Sequence, residues 1–213
     1  MLSYSLPLYK MKKEWNGLKV IYEDERYLEE VLGGEYKYLF EYPIVIDIGA
    51  NIGTFSFYML EHARKIYAIE PVQKNIDCMT KTIEENKLTE KVFPFQLAIA
   101  GVTGTGNMLR DGNPSSGGWK LDITGDYPVH TETLLDFMNR NGIDYADLVK
   151  MDVEGEELNI LLALGFPSER VGTIIGEIHP RDVADVETFN KRLDELGYRY
   201  RYPFGNCFIA RKR

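Results

Sequence analysis

Residues 45–53 read VIDIGANIG, and this stretch narrows the possible folds more than any other. Ile44 to Ile48 is a short β-branched apolar run, the pattern of a strand buried on both faces, and it runs directly into glycine. FSFYMLEHA (55–63) then reads as a helix, with Thr54 placed to cap it. Strand, glycine loop and helix form the opening unit of a doubly wound α/β sheet. In such a sheet the loop lies at the carboxyl edge, where small ligands bind near a reversal of strand order.

The text after this unit keeps alternating. KIYAIE (65–70) is a second strand, and VQKNIDCMTKTIEEN (72–86) a helix whose apolar stripe is Val72, Ile76, Met79 and Ile83. KVFPFQLAI (91–99) reads as a third strand, unsettled in its middle by Pro94. Residues 131–140 read as a helix, DLVKM (147–151) as a strand, GEELNILLAL (155–164) as a helix stopped by Gly165, and GTIIGEI (172–178) as a strand. DVADVETFNKRLDEL (182–196) is a helix with Val186, Phe189, Leu193 and Leu196 facing inward. YRYRY (198–202) and NCFIAR (206–211) close the chain as an antiparallel hairpin through Pro203-Phe204-Gly205. The expected architecture is a mostly parallel sheet with helices on both faces and antiparallel strands at one end.

Two regions break the rhythm. Residues 101–128 are glycine-rich and read as a strand pair carrying a long mobile excursion, DGNPSSGGW (111–119). Residues 1–43 form an aromatic, charge-mixed extension of unassigned role, in which EDERYLEEVL (23–32) reads as a short helix closed by Gly33 and Gly34.

Composition removes several function classes. At 213 residues, 44% hydrophobic and 27% charged, one ordered domain is expected. A net charge of −8 disfavours a bulk attraction for nucleic acid or anionic lipid. No apolar run approaches the roughly 18–20 residues of a membrane helix, and MLSYSLPLYKMKK lacks the layout of a secretory signal. Cys78 and Cys207 lie far apart with no CxxC pair, which argues against a disulfide scaffold or a zinc site and fits a reducing cytoplasm.

The loop itself discriminates among ligands. A dinucleotide site favours G-x-G-x-x-G, yet Asn51 holds the second glycine position and the third glycine, Gly53, comes one residue early. The lysine of a P-loop is missing as well. A phosphate-free nucleoside, S-adenosyl-L-methionine, fits better. Asp47 would place negative charge near its ammonium or sulfonium group, directly or through water. Glu70, ending the second strand ahead of Pro71, would accept from the ribose hydroxyls. A β-branched residue at Gly49 is expected to enter the cofactor's path without unfolding the chain. Gln96 and Ala98, ending the third strand, would lie near the adenine edge.

VIDIGANIGTFSFYM, IYAIEP, FQLAIAG, VHTETLLDFM, LVKMDVEGEE (148–157) and IIGEIHP (174–180) occur in the order seen in FkbM-type methyltransferases, and the chain resembles that family over about residues 44–180. The resemblance implies a class I, Rossmann-like fold with a seven-stranded sheet over 44–213. It also implies S-adenosyl-L-methionine as cofactor and methyl transfer, usually to a hydroxyl of a sugar or natural product. It does not name the acceptor.

KMDVEGEE (150–157) and EIHP (177–180) bring Asp152, Glu154, Glu177 and His179 to neighbouring strand ends at the same sheet edge. Methyl transfer to an alcohol needs alignment and a base for the departing proton. His179 suits a base, and Asp152 or Glu154 could take the proton or orient the imidazole. Glu156 and Glu157 read as favourable charges in a helix first turn, and Lys150 as a snorkelling or ion-paired lysine. The four strand-end side chains would also suit a hard cation, but their spacing is no known ligand signature, and no metal is assigned. Trp119 in its mobile loop could fold over a sugar-like acceptor. Two other functions stay open: RNA methylation, favoured only by the basic tail RYRYPFGNCFIARKR, and a cofactor-binding module without chemistry.

Overall fold

The parallel strands are short, β-branched and buried on both faces, as their composition requires. The computed structural model describes residues 11–15, 17–22, 41–110 and 118–213; the helix read over 23–32 and residues 111–117 lie outside the described residues. In chain order the strands are β1 (Met11–Trp15), β2 (Leu18–Tyr22), β3 (Ile44–Ile48), β4 (Lys65–Ile69), β5 (Val92–Phe95), β6 (Ala98–Ile99) and β7 (Gly104–Arg110). There follow β8 (Trp119–Leu121), β9 (Tyr127–Glu132), β10 (Ala146–Met151), β11 (Val171–Glu177), β12 (Tyr198–Phe204) and β13 (Cys207–Lys212). The α-helices are α1 (Thr54–Tyr58), α2 (Gln73–Glu85), α3 (Leu134–Arg140), α4 (Glu157–Leu162) and α5 (Val183–Glu195).

The main sheet has seven strands in the order β12-β13-β11-β10-β3-β4-β5. Strands β5, β4, β3, β10 and β11 run parallel, and β13 and β12 close the far edge antiparallel. The chain winds outward from β3 through β4 to β5, then returns to β10 on the other side of β3. The order therefore reverses between β3 and β10, which opens a crevice at their carboxyl ends.

Strand alternation divides the core. Val45, Leu148 and Ile175 face one side with Phe55, Ile76, Met79 and Ile83 of α1 and α2. Ile46, Ile48, Val149 and Met151 face the other, packed with Phe137, Ile160, Phe189 and Leu193. The expected α2 stripe and the inward face of α5 are thus both in place; Val186 and Leu196 pack at its margin.

Several local readings change. The third strand is two: β5 ends at Phe95, and β6 joins a separate four-stranded sheet, β6-β9-β7-β8. Pro94 is tolerated because β5 is an edge strand of the main sheet, where a missing N–H need not break a ladder. Residues 127–132 are strand β9, so the helix expected from 131 starts at Leu134, where Thr133 caps it by accepting from the Asp136 N–H. Thr54 is not a cap. Gly53 takes that position at φ 91°, and Thr54 is the first helical residue. Helix α1 is also shorter than expected and tightens into a 3-10 turn at Met59–Glu61. Helix α4 spans Glu157–Leu162 within the expected 155–164. The closing turn is Gly205-Asn206, since β12 continues to Phe204.

Part of the extension is structured. Strands β1 and β2 form a hairpin around Gly17. Val20 is fully buried in the core beside α2, and Asn86 accepts from the Lys19 N–H and donates to its carbonyl. Among the described residues no helix is long and apolar enough to cross a membrane.

Candidate active site

A cavity of 220 Å³ sits over the crevice. Gly49, Ala50 and Asn51 line one wall, Glu70 and Asn75 a second, and Asp152, Glu154, Glu177 and His179 a third. Met108, Trp119 and Leu121 of the smaller sheet cover it. The topology brings these segments together: the glycine loop follows β3, Glu70 follows β4, Asp152 and Glu154 follow β10, and Glu177 and His179 lie at and beyond the end of β11.

The loop is held from both sides. Gly49 N–H and Ala50 N–H donate to the Ile69 carbonyl at 3.0 and 2.9 Å. Gly49 has φ 74°, and a Cβ there would stand 1.9 Å from the Asp152 carbonyl oxygen. Glycine is therefore demanded by the end of β10, which corrects the expectation that a side chain here would leave the fold intact. Asn51 follows at φ 52°, a left-handed conformation that asparagine tolerates better than most residues.

Glu70 is buried. Its Oε2 accepts from Asn51 N–H at 3.0 Å, and its Oε1 from Val72 N–H at 3.0 Å and the Asn75 amide at 3.1 Å. Burial raises its carboxyl above the ordinary range, opposed by these hydrogen bonds. A carboxylate has about four acceptor positions, so one remains, on Oε2. Glu70 thus ties the loop to α2 and keeps an acceptor position for a ligand.

Asp47 is fully buried behind the loop and does not line the cavity. Ser56 Oγ donates to its Oδ2 at 2.6 Å, and Lys150 Nζ stands 3.5 Å from its Oδ1. Burial pushes its carboxyl up, against the pull of Lys150 and Ser56. Lys150 also donates to the Gly49 carbonyl at 2.9 Å and lies 3.6 Å from Asp152 Oδ2. The lysine is ion-paired, as expected, and carries the influence of Asp47 to the cavity. Gln96 is exposed and outside the lining; Leu97 and Ala98 face the cavity instead.

Behind the third wall lies a residue that the sequence assigns only to a helix first turn. Glu157 is 2% exposed. Its Oε1 lies 3.0 Å from His179 Nδ1 and accepts from Val153 N–H, also at 3.0 Å, while Oε2 accepts from His179 N–H at 3.4 Å. Burial by itself would lower the His179 pKa, but the hydrogen bond and charge of Glu157, with Asp152 and Glu154 nearby, push it up to about 9. The Glu157 carboxyl is held below its ordinary value: burial would raise it, and the His179 contact prevails. At neutral pH the imidazole is a cation. A sequence signal existed, because a glutamate five residues past Asp152, at the first position of α4, can reach back under the strand end.

Glu154 approaches His179 Nε2 at 3.8 Å from a φ of 53°, a conformation that costs a non-glycine residue about 1–2 kcal/mol. Asp152, Glu157 and His179 present ligand atoms within 4.8 Å of one another, a set with Glu157 where Glu154 and Glu177 were expected. The imidazole and backbone N–H groups engage the Glu157 carboxylate as a charge pair.

Two buried polar atoms of lining residues, Asn51 Oδ1 and Thr54 Oγ1, have no hydrogen-bond partner among the described residues. Uncompensated buried polar atoms are costly, and those at a cavity are where a polar ligand completes the set. They fit a ligand bearing amine or hydroxyl donors, as S-adenosyl-L-methionine does.

Comparisons with known proteins agree with this geometry. The methyltransferase FkbM domain matches residues 47–200. The hexuronic acid methyltransferase AglP of Haloferax volcanii is 26% identical over 160 residues, 73% of this chain and 66% of that protein. Methyltransferase sdnD of Sordaria araneosa is 26% identical over 153 residues, 56% of this chain and 59% of its own length. The chain thus spans less than two thirds of either relative's length. Among solved structures, an FkbM methyltransferase from Methylobacillus flagellatus superposes with a TM-score of 0.54 at 17% identity, covering 79% of this chain and 43% of the other. TrmK of M. capricolum, bound to S-adenosyl-homocysteine, gives 0.52 at 16% identity, with 90% and 69% covered. These superpositions bear on the fold, which is that of the Rossmann-like methyltransferases. The matched domain runs from Asp47 in β3 to Tyr200 in β12, most of the described chain, and the protein belongs to the FkbM methyltransferase family.

Proposed function

We propose that the protein transfers a methyl group from S-adenosyl-L-methionine to a hydroxyl oxygen of a sugar, a glycan or a sugar-like small molecule. The observation that carries this reading is the single cavity in which a glycine loop, a strand-end glutamate with one acceptor position left, and a carboxylate–imidazolium wall all meet. Asn51, Thr54 and Glu70 would hold the polar groups of the cofactor, and Leu97 and Ala98 its base. When bound, the cofactor supplies an electrophilic methyl group on a sulfonium.

The chain's own residues do the rest. Methyl transfer is an in-line displacement, so alignment of the acceptor oxygen is the main requirement. With its pKa raised to about 9, His179 would offer Nε2–H to orient an acceptor oxygen rather than serve as the base. The proton that leaves the hydroxyl goes to a carboxylate, Asp152 or Glu154, both on the cavity wall. Glu157 fixes the imidazolium and its ring orientation. Lys150 balances the charges of Asp47 and Asp152 beneath.

The relative that acts on hexuronic acid supports a carbohydrate acceptor. The basic tail gives RNA little support: Lys212 pairs with Glu169 at 2.7 Å, Arg213 with Asp194 at 2.6 Å, and the net charge is −8. The test is calorimetry with S-adenosylhomocysteine, NAD and ATP, followed by release of S-adenosylhomocysteine from S-adenosyl-L-methionine over a panel of sugars and of RNA. Binding of the homocysteine product alone, with sugar-dependent release, is expected. Preference for NAD or ATP, or release driven only by RNA, would overturn the reading.

A further inference from the structure

A second cleft, of 460 Å³, begins where the cavity ends. Leu121, Glu154, Glu156 and His179 line both. From that boundary the cleft runs between the turn after β8 and the start of α4, and opens beside Arg181 and Asp185. Its volume is that of an ordinary small-molecule site. Nothing in the methyl-transfer reading has yet used it.

We propose that this cleft holds the part of the acceptor beyond the reacting hydroxyl, and that this part is an uncharged, polyhydroxylated unit, the next sugar of a glycan. The proposal rests on the methyltransferase reading of the cavity and names the acceptor class for that same site. Continuity is the first argument: a molecule whose oxygen reaches His179 and Glu154 has its remainder at the mouth of the cleft. The lining is the second. Leu121, Leu158 and Pro180 are partly exposed and give an apolar surface for the C–H face of a sugar ring, and Glu156, with the remaining acceptor positions of Asp122 and Asp185, gives acceptors for its hydroxyls. Charge is the third. The cations at the mouth are already engaged, Lys120 with Asp122 at 3.8 Å and Arg181 with Asp185 at 2.9 Å. Carboxylates outnumber cations along the lining, so an anionic unit would meet like charge.

The test uses the full chain, with and without saturating S-adenosylhomocysteine, in NMR titrations. The probes are a neutral methyl hexoside, a neutral hexose trisaccharide and the same trisaccharide ending in a uronate. Two variants narrow the cleft and leave the cavity intact: Asn159→Trp on the exposed face of α4, and Ile123→Trp at the exposed mouth. The neutral trisaccharide should bind about tenfold or more tightly than the monosaccharide. Both substitutions should remove that advantage and leave monosaccharide and S-adenosylhomocysteine binding unchanged, and the uronate should bind more weakly than its neutral counterpart. Equal affinity for the two neutral lengths, equal loss for both in the variants, or tighter binding of the uronate would overturn the proposal. Failure of the parent reading shows separately, as absence of S-adenosylhomocysteine binding or of release with any hydroxyl acceptor.

Discussion

Glu157 Oε1 lies 3.0 Å from His179 Nδ1, and the pair is anchored to the backbone on both sides of the cavity wall. The contact raises His179 to about 9, which favours its cationic form near neutrality. In the proposed mechanism the proton-accepting role then falls to the carboxylates beside it.

A pH profile of kcat/KM checks this assignment. Activity should hold through neutrality and fall as pH rises through about 9, because the imidazolium that orients the acceptor is then lost. In Glu157→Gln the fall should move down toward the ordinary histidine value near ~6.5, and the His179 resonances should titrate with it. Stability follows the same pair. The raised His179 contributes fully below 6.5 and loses its contribution through about 9, whereas the depressed Glu157 contributes above 4.5 and loses it on acidification. The Tm difference between wild type and Glu157→Gln should therefore be greatest between 4.5 and 6.5. Activity rising through 9 would restore His179 as the base.

Gly49→Ala should destabilise the fold before it affects any ligand. The new Cβ meets the Asp152 carbonyl oxygen, which belongs to the backbone and cannot swing aside. A left-handed φ adds about 1–2 kcal/mol, and overpacking typically 1–3 kcal/mol more. Urea unfolding should show a loss of roughly 2–5 kcal/mol by these terms. An Ala variant with wild-type stability and no cofactor affinity would show that the position faces the ligand after all.

Asp152→Asn and Glu154→Gln separate the two carboxylates. Each keeps shape and loses the ability to take a proton. The one that serves as base should lower kcat by about 10²–10⁴ with S-adenosylhomocysteine affinity unchanged. The other should change kcat less than tenfold, by roughly one lost hydrogen bond. Single-turnover rates at fixed saturation decide between them, and full activity in both would remove carboxylate base chemistry from the site.

Much of this was legible in the sequence because the signals are local. Buried parallel strands read as apolar runs, the α2 stripe as one helical face, and the loop as glycine flanked by strand and helix. What escaped depended on partners distant in the chain. Pro94 is harmless only because β5 lies at an edge, and the break after Phe95 follows from pairing of β6 with β9, about thirty residues on. Strand β9 straddled two readings: it begins in the stretch 101–128 read as a strand pair, and only Thr131 and Glu132 fell in the stretch read as helix, because their pairing partners lie in β6 and β7. Glu157 looked like a helix first-turn charge because its partner is 22 residues away.

Glu70 serves the scaffold and the ligand together, and two substitutions distinguish these roles. Glu70→Gln keeps one acceptor oxygen but turns its NH2 toward Asn51 N–H or Val72 N–H, so it should cost the fold about 1–3 kcal/mol and weaken S-adenosylhomocysteine by about 1.5–3 kcal/mol, the scale of a hydrogen bond to a charged group. Glu70→Ala leaves Asn51 N–H and Val72 N–H without their acceptor and should lower Tm further. Calorimetry and thermal denaturation on both variants make the comparison. Equal affinity in all three proteins would place the ribose elsewhere.

Lys150 and Asp47 stand in register on β10 and β3, and each is nearly excluded from water. Lys150→Met removes the cation and strands a buried carboxylate, a loss on the order of 3–5 kcal/mol at neutral pH. The carboxyl, already raised by burial, must rise further once Lys150 no longer lowers it. A carboxyl with a raised folded pKa destabilises the fold above its unfolded value and ceases to do so as it protonates. The Tm of Lys150→Met should therefore recover as pH is lowered from 7 toward 5, a direction opposite to ordinary acid denaturation. Asp47→Asn in the same chain removes the stranded charge and keeps an acceptor for Ser56 Oγ, so the double variant should regain most of the loss at pH 7. A double-mutant cycle read by urea unfolding gives the coupling, and strictly additive losses would show that the two side chains do not act as a pair.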